Sequence, residues 1–196
     1  MLKDMFGSRD RMALRGPTVT LRPPALRDYR EWRDIRGASR DFLQPWEPRW
    51  SREEFTFTQY SRRVRHYRRE RRDGTAITYF IRLNATGELA GGITIGKIRH
   101  GVAESCELGY WMGAAHAGKG HMSEALGLTI AFVFETLGLH RIEAACIPDN
   151  KRSIRLLQKA GFRREGEMRD YLRINGVWRD HYLFALLRGD ASGSTR

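Results

Sequence analysis

A glycine-containing turn, Gly118 to Gly120, separates the apolar run "ELGYWM" from a segment in which apolar residues recur at helical spacing. A chain that passes from a strand through glycines into a helix exposes backbone N–H groups at the positive end of the helix dipole. Such a turn suits an anion, usually a phosphate group. The motif is neither GxGxxG nor a Walker A loop, because His121 and Met122 follow the second glycine. Taken alone, it also fits a tight turn that serves only packing.

The rest of the chain predicts a mixed α/β domain. β-rich runs predict a strand at about 19–22, an antiparallel meander over 76–83, 89–98 and 104–112, a strand at 140–147 and a hairpin turning at Asn175 and Gly176. Helical patterns predict helices at 28–35, from a Ser51 cap to about Arg72, at 122–137 and at 149–161. The stretch "DFLQPWEPRW" reads as a loop because of its two prolines. We expect residues 1–16 to be a flexible extension, 17–188 to be one domain and 189–196 to be a disordered tail.

Composition excludes several protein classes. Hydrophobic residues make up 41% of the 196 residues, which is too many for a disordered chain, and no apolar run reaches the roughly 20 residues of a membrane span. The N-terminus has charges throughout and does not resemble a secretory signal. Cys106 and Cys146 are interpreted as core thiols in a reducing cytoplasm. No metal site is expected, since His116 and His121 are not a same-face helical pair.

The chain is strongly basic, with a formal net charge of +12. Such a charge favours an anionic partner, such as nucleic acid, a ribosomal surface or a polyphosphate cofactor. Its densest part is the arginine cluster "SRRVRHYRRERRD", residues 61–73. This cluster is either an RNA-docking surface or a solvated helix face.

Four segments carry a family resemblance: "LQPWEPRW", "ELGYWM" followed by "GKGHMSEAL", "PDNKRSIRLLQKAGF", and "RDYLRINGVWRDHYLFAL". In their order and spacing they resemble the GNAT superfamily of N-acetyltransferases, in particular the ribosomal-protein-alanine N-acetyltransferases of the RimJ and RimL type. The resemblance covers about Val19 to Leu187. It implies a mixed α/β, single GNAT-like domain, with a mostly antiparallel twisted sheet, helices on both faces and a splayed strand pair that forms an acetyl-CoA cleft.

The resemblance also implies how acetyl-CoA is bound. Its pyrophosphate would lie on the backbone of the glycine turn, and its pantetheine arm would pair with the preceding strand end like an added strand. Ala115 stands where the family's motif usually begins with Gln or Arg, which removes one side-chain contact but leaves the backbone cradle. The implied cofactor-binding residues are Tyr110, Trp111, Met112, Gly113, Gly118, Lys119, Gly120, His121, Met122, Ser123, Asn150 and Ser153.

Acetyl transfer to an amine needs a neutral amine, a donor for the oxyanion of the tetrahedral intermediate and an acid for the leaving thiolate. By resemblance, Glu107 would be the base, acting through a water, and backbone N–H groups near Trp111 would be the oxyanion donor. The tyrosine that is often the acid in this superfamily is replaced by Leu157, so Ser153 is the candidate acid. Glu107 is also interpretable as part of a structural ion pair, and Ser153 as part of the helix cap that follows Asn150.

Aromatic walls near a carboxylate would suit the ammonium group of an acceptor. The candidate acceptor-binding residues are Trp46, Tyr171, Trp178, Asp180 and His181, with Asp170 as an alternative carboxylate. The expected acceptor is the N-terminal alanine or serine of a ribosomal protein. Two alternatives stay open: a small-molecule amine such as an antibiotic or polyamine, and an RNA- or ribosome-associated module in which acyl-CoA binding is regulatory. The sequence leaves both a monomer and a homodimer open.

Overall fold

An eight-stranded sheet in the order β1-β2-β3-β4-β5-β6-β8-β7 forms the centre of the computed structural model, which describes residues 13–192. Neighbouring strands are antiparallel except for the parallel pair of β5 and β6. The strands are β1 (Leu14–Arg15), β2 (Val19–Arg22), β3 (Ile77–Leu83), β4 (Leu89–Arg99), β5 (Ser105–Met112), β6 (Arg141–Cys146), β7 (Arg163–Ile174) and β8 (Val177–Leu187).

Helices cover both faces of this sheet. They are α1 (Tyr29–Ala38), α2 (Arg40–Leu43), α3 (Phe57–Asp73), α4 (His121–Ala131), α5 (Lys151–Lys159) and α6 (Arg188–Ser192). On one face, α4 and α5 bury Ala125, Leu126 and Leu157 in the main apolar core. On the other face, a smaller cluster joins Trp32 of α1 and Tyr60 of α3 to Phe80 of β3. The predicted mixed α/β architecture is therefore confirmed, and no helix of the described part is long and apolar enough to cross a membrane.

The strands β5 and β6 separate partway along their length. They pair only at Ser105 with Arg141, Cys106 with Ile142 and Glu107 with Glu143. Beyond Glu107, β5 continues to Met112 while it still pairs with β4 on its other side. The predicted splayed strand pair is thus present, and it leaves one edge of β5 open.

Local capping explains where several elements begin and turn. Asn150 caps α5, because its side-chain oxygen accepts a hydrogen bond from the Ser153 backbone N–H at 3.1 Å. The β7–β8 turn has φ angles of 46° at Asn175 and 87° at Gly176, as a tight hairpin turn requires. The predicted Ser51 cap is wrong, since α3 begins at Phe57 and Thr56 caps it by accepting from Gln59 N–H.

Two further predictions differ from the structure. The stretch predicted as a proline-broken loop contains α2 and a 3₁₀ turn at Gln44–Trp46. The helix predicted to reach Leu137 ends as α4 at Ala131 and continues as a π-helical turn, Phe132–Thr136. At the two ends, residues 1–12 and 193–196 of the predicted extension and tail lie outside the described residues. Of the same two segments, residues 14–15 form β1, which pairs with β2, and residues 189–192 belong to α6.

Candidate active site

A cleft of about 900 Å³ opens where β5 leaves β6. Its walls come from the end of β5, the turn before α4, the first two turns of α5 and the segment around α2. Most of the predicted cofactor-binding residues line it: Tyr110, Trp111, Met112, Gly118, Gly120, His121, Met122, Ser123, Asn150 and Ser153. Gly113 and Lys119 belong to the same chain segments, but their atoms do not line the cleft.

The glycine turn has the conformation that an anion cradle needs. Gly118 and Gly120 have φ angles of 77° and 86°, in the left-handed region that favours glycine. Gly120 is the N-cap of α4 and provides no side-chain cap, so the first N–H groups of this helix are without intrahelical acceptors. A Cβ atom built on Gly120 meets no other atom within 4 Å. The backbone at the start of α4 is therefore accessible from the cleft.

The free edge of β5 supplies further backbone groups. Gly113 N–H donates to the Ala90 carbonyl at 2.8 Å, and the β4–β5 register continues from this pair. Along a strand, the N–H groups of alternate residues point to the same side. The N–H of Trp111, two residues before Gly113, therefore also points toward β4. The N–H groups near Trp111 that face the gap are consequently those of Tyr110 and Met112.

Two hydroxyl groups meet at the inner end of the cleft. Tyr110 Oη and Ser153 Oγ are 2.6 Å apart, and either can donate the hydrogen bond. Burial raises the pKa of Tyr110, so its hydroxyl stays protonated across the physiological range. Leu157, at the position where the resemblance would place a tyrosine, is fully buried in the main core. The hydroxyls of Tyr110 and Ser153 are thus a hydrogen-bonded pair of proton donors on the cleft wall.

Glu107 lies on the same side of β5 as Trp111, because side chains alternate along a strand. Its carboxylate is 2.9 Å from the ammonium group of Lys97, a residue of β4 with a φ of 46°. The hydrogen bond that Lys97 donates to Glu107, together with a weaker interaction with Tyr171, raises the pKa of Lys97. Glu107 does not line the cleft, and about 30% of its side chain is exposed.

One of the predicted acceptor-binding residues lines the cleft, and the others lie on the β7–β8 hairpin. Trp46 lines the cleft. Tyr171 and the buried His181 are in edge contact, with ring centres 5.6 Å apart, and Tyr171 approaches the Lys97–Glu107 pair. Trp178 and Asp180 are exposed on the hairpin, and the Asp180 carboxylate accepts a hydrogen bond from the backbone N–H of Asp170 at 2.8 Å. The structure therefore does not place Tyr171, Trp178, Asp180 or His181 on the cleft wall.

The charges of the cleft wall include residues that sequence reasoning missed. Its carboxylates are Glu47, which pairs with Arg36, and Asp149, which pairs with Arg179 at 3.0 Å. Its cationic side chains lie on α5 and are Lys151, Arg152, Arg155 and Lys159. The four-residue spacing of Lys151, Arg155 and Lys159 in the sequence indicates that they lie on one face of a helix. Among the described residues no cluster of His, Cys, Asp and Glu could hold a metal ion.

A cleft between splayed strands with a helix N-terminus at one end is the geometry of the acetyltransferase (GNAT) domain, and the family model of that domain matches residues 18–163. This chain belongs to the GNAT family of acetyltransferases. The [ribosomal protein uS5]-alanine N-acetyltransferase of Escherichia coli is 35% identical over 189 residues, covering 95% of this chain and 97% of that protein.

Solved structures agree with this assignment. The acetyltransferase is similar to Mycobacterium smegmatis RimJ in complex with CoA-disulfide, with a TM-score of 0.85, 35% identity and coverage of 89% of this chain and 87% of that chain. It is also similar to ribosomal-protein-S5-alanine acetyltransferase from Vibrio fischeri, with a TM-score of 0.84, 28% identity and coverage of 91% and 98%.

The described residues fit the cosubstrate of this family. Acetyl-CoA supplies the acetyl group as a thioester. The uncapped start of α4 and the cations of α5 suit its phosphates, and the open edge of β5 suits its amide-bearing arm. The protein is an acetyl-CoA-dependent N-acetyltransferase.

Proposed function

We propose that this acetyltransferase modifies the N-terminal alanine or serine of a ribosomal protein, in the cytoplasm. The observation that carries the proposal is the part of the cleft wall formed by Trp46 and Glu47, which lies beside the β7–β8 turn. The backbone N–H of Asn175 in that turn donates to the Glu47 carbonyl at 2.9 Å. Full-length similarity to enzymes named for alanine of ribosomal protein S5 supports the same acceptor.

The proposed roles of the residues combine the family resemblance with their positions. Backbone N–H groups of Tyr110 and Met112 would stabilise the oxyanion, and Ser153 would donate a proton to the leaving thiolate. Glu107 would accept the amine proton through a water. The Lys97 pair supports the alternative interpretation, in which Glu107 is structural.

A small polycationic amine is the less favoured acceptor because of the charge of the cleft. Polyamines and aminoglycosides would need uncompensated carboxylates. Both carboxylates of the cleft wall, Glu47 and Asp149, have an arginine partner, whereas α5 contributes four cations. The resulting field repels a polycation more than it repels the single ammonium of a peptide N-terminus.

The acceptor is tested by free-thiol release from acetyl-CoA. Peptides with N-terminal Ala, Ser or Met are compared with spermidine and an aminoglycoside, with a reaction without enzyme as the blank. Turnover on the Ala or Ser peptides, with mass spectrometry locating the acetyl group on the α-amine, supports the proposal. Turnover restricted to the small amines contradicts it.

We further propose that α3 docks the enzyme on ribosomal RNA. Arg62, Arg65 and Arg69 are exposed along this helix, and each has no ion-pair partner among the described residues. Arg63, by contrast, pairs with Glu54. A row of uncompensated guanidinium groups suits the phosphate backbone of RNA.

The docking proposal is tested with the Arg62→Gln, Arg65→Gln, Arg69→Gln triple variant. Affinity for ribosomal RNA should fall, and the slope of log Kd against log salt should decrease by about one for each phosphate that the variant no longer neutralises. A control triple on the edge strand β7, Arg163→Gln, Arg164→Gln and Arg169→Gln, removes the same charge. If both triples weaken binding equally, net charge alone accounts for the effect and the α3 surface is disproved.

A further inference from the structure

Arg36 on α1 is a buried cation in an aromatic cage. Only 6% of this residue is exposed. Its guanidinium carbon lies 4.7 Å from the ring centre of Trp50, 5.0 Å from that of Trp111 and 5.8 Å from that of Trp32. Its Nε atom is buried and has no hydrogen-bond partner within the described part of the chain. The surrounding ring faces therefore provide part of its stabilisation as cation–π contacts.

The remaining guanidinium nitrogens reach the cleft wall through Glu47. Nη1 donates to Glu47 Oε1 at 3.2 Å and Nη2 donates to Oε2, which makes the pair bidentate. Trp50 Nε1 donates to the same carboxylate at 2.8 Å. The Glu47 carbonyl accepts the hydrogen bond from Asn175 in the β7–β8 turn. One carboxylate residue thus joins α1, the Trp46 segment and the hairpin tip.

Stability alone does not explain this arrangement. Removing two charges from water is costly, and apolar side chains of similar volume often stabilise a protein as well or better. What a bidentate pair adds is a fixed geometry. Trp46, Glu47 and Trp111 all line the cleft, so the geometry that Arg36 fixes is that of this part of the cleft wall.

We propose that Arg36 is a positioning residue for the amine acceptor. Through Glu47 it holds Trp46 and the β7–β8 turn in place where the acceptor enters. The inference rests on the acetyl-transfer function and not on the identity of the acceptor. The glycine turn and α5, which suit the phosphates of acetyl-CoA, are separate from the Arg36–Glu47 pair. Loss of the Arg36–Glu47 pair should therefore change the binding of the acceptor more than the binding of acetyl-CoA.

The test is Arg36→Met, which removes the charge and keeps an apolar side chain of similar length. The acceptor is the compound that the wild-type enzyme acetylates fastest, whether peptide or small amine, so a wrong ribosomal assignment does not affect the result. KM for the acceptor should rise at least about tenfold, because misplacement by an ångström has effects of this size. The calorimetric Kd for acetyl-CoA should change by less than about twofold, because Arg36 contacts the ring of Trp111 but neither the glycine turn nor α5.

Arg22→Met is the matched control. Arg22 also forms a bidentate pair with a buried carboxylate, Asp28, at 2.8 and 2.5 Å, but neither residue lines the cleft. Arg22→Met should lower the thermal midpoint and leave the acceptor KM unchanged. Arg36→Lys, which keeps the charge without the planar fork, should give an intermediate KM.

Two outcomes overturn the inference. One is a folded Arg36→Met enzyme with the wild-type acceptor KM. The other is a parallel rise in the acetyl-CoA Kd, which would indicate a general loss of structure. If Arg36→Met does not fold, the Arg36→Met, Glu47→Leu double variant replaces the whole pair with apolar groups. It should likewise raise the acceptor KM and leave the acetyl-CoA Kd unchanged.

Discussion

The hydroxyl groups of Tyr110 and Ser153 lie 2.6 Å apart, although 43 residues separate them in the sequence. The first comes from the open edge of β5 and the second from the first turn of α5. When Tyr110 donates to Ser153 Oγ, the Ser153 hydrogen is free to point toward another acceptor. The pair thus offers a route by which a buried phenol orients a serine hydroxyl toward the sulfur of the leaving group.

Tyr110→Phe should lower kcat about tenfold, the loss of roughly 1.4 kcal/mol of transition-state stabilisation. It removes the hydroxyl and keeps the ring, so the acetyl-CoA Kd measured by calorimetry should stay close to the wild-type value. Ser153→Ala should lower kcat further. Because Tyr110 acts through Ser153, the double variant should be no slower than Ser153→Ala. Additive losses would show that the two hydroxyls act independently.

The open question of Glu107 is decided by a pair of variants. Glu107→Gln and Lys97→Met both break the 2.9 Å ion pair, but only the first removes the carboxylate. If Glu107 is the base, Glu107→Gln should lower kcat by about 10²-fold or more, and the dependence of kcat/KM on pH should lose its acidic limb. Lys97→Met should keep most of the activity. Equal losses in the two variants would mean that the ion pair matters for structure and that the base is another group.

Local signals predicted the strands, the Asn150 cap and the glycine turn, because each of them depends on neighbouring residues. The sequence pattern does not separate Ser51 from Thr56 as a cap, because Glu54 stands three residues after Ser51 and Gln59 three residues after Thr56, and both spacings fit a capping box. Glu47 was missed because a single carboxylate in a proline-broken stretch has no periodicity. Its partner Arg36 lies eleven residues upstream and is brought to it by tertiary packing. The Lys97–Glu107 contact likewise requires the register of β4 against β5, and the Tyr110–Ser153 contact requires the packing of α5 on the sheet, neither of which the sequence pattern specifies.

The phosphate cradle predicts a selective effect of Gly120→Val. A Cβ at this position points into open space but requires a φ of 86°, which is strained for valine. Gly74→Val at the end of α3 imposes similar strain, at a φ of 72° and also without a neighbouring atom within 4 Å, away from the cleft. Both variants should be less stable in urea titrations, whereas only Gly120→Val should weaken acetyl-CoA binding in calorimetry. An unaltered Kd in folded Gly120→Val would rule out the cradle.

Glu124 attaches α4, whose first turn forms the proposed phosphate cradle, to the start of β2 through hydrogen bonds. Its carboxylate accepts hydrogen bonds from the backbone N–H groups of Thr18 at 2.8 Å and Val19 at 3.1 Å, and from the Thr18 hydroxyl. Desolvation opposes ionisation, but these hydrogen bonds outweigh it and lower the pKa of Glu124. A folded pKa below the unfolded value gives stability that is present above the unfolded pKa and is lost as pH falls through the folded pKa.

Glu124→Gln should therefore lower the free energy of unfolding at pH 7 by on the order of 1 kcal/mol, a value reduced by partial solvent exposure. The difference from the wild type should shrink as the pH is lowered below the ordinary range of a glutamate, because the wild type then loses the same charge. Urea titrations at pH 7 and at about pH 3 measure this change. Glu135→Gln, on the exposed side of the π-helical turn after α4, is the control and should have little effect at either pH. A stability difference for Glu124→Gln that does not vary with pH would mean that the carboxylate charge does not stabilise the attachment of α4 to β2.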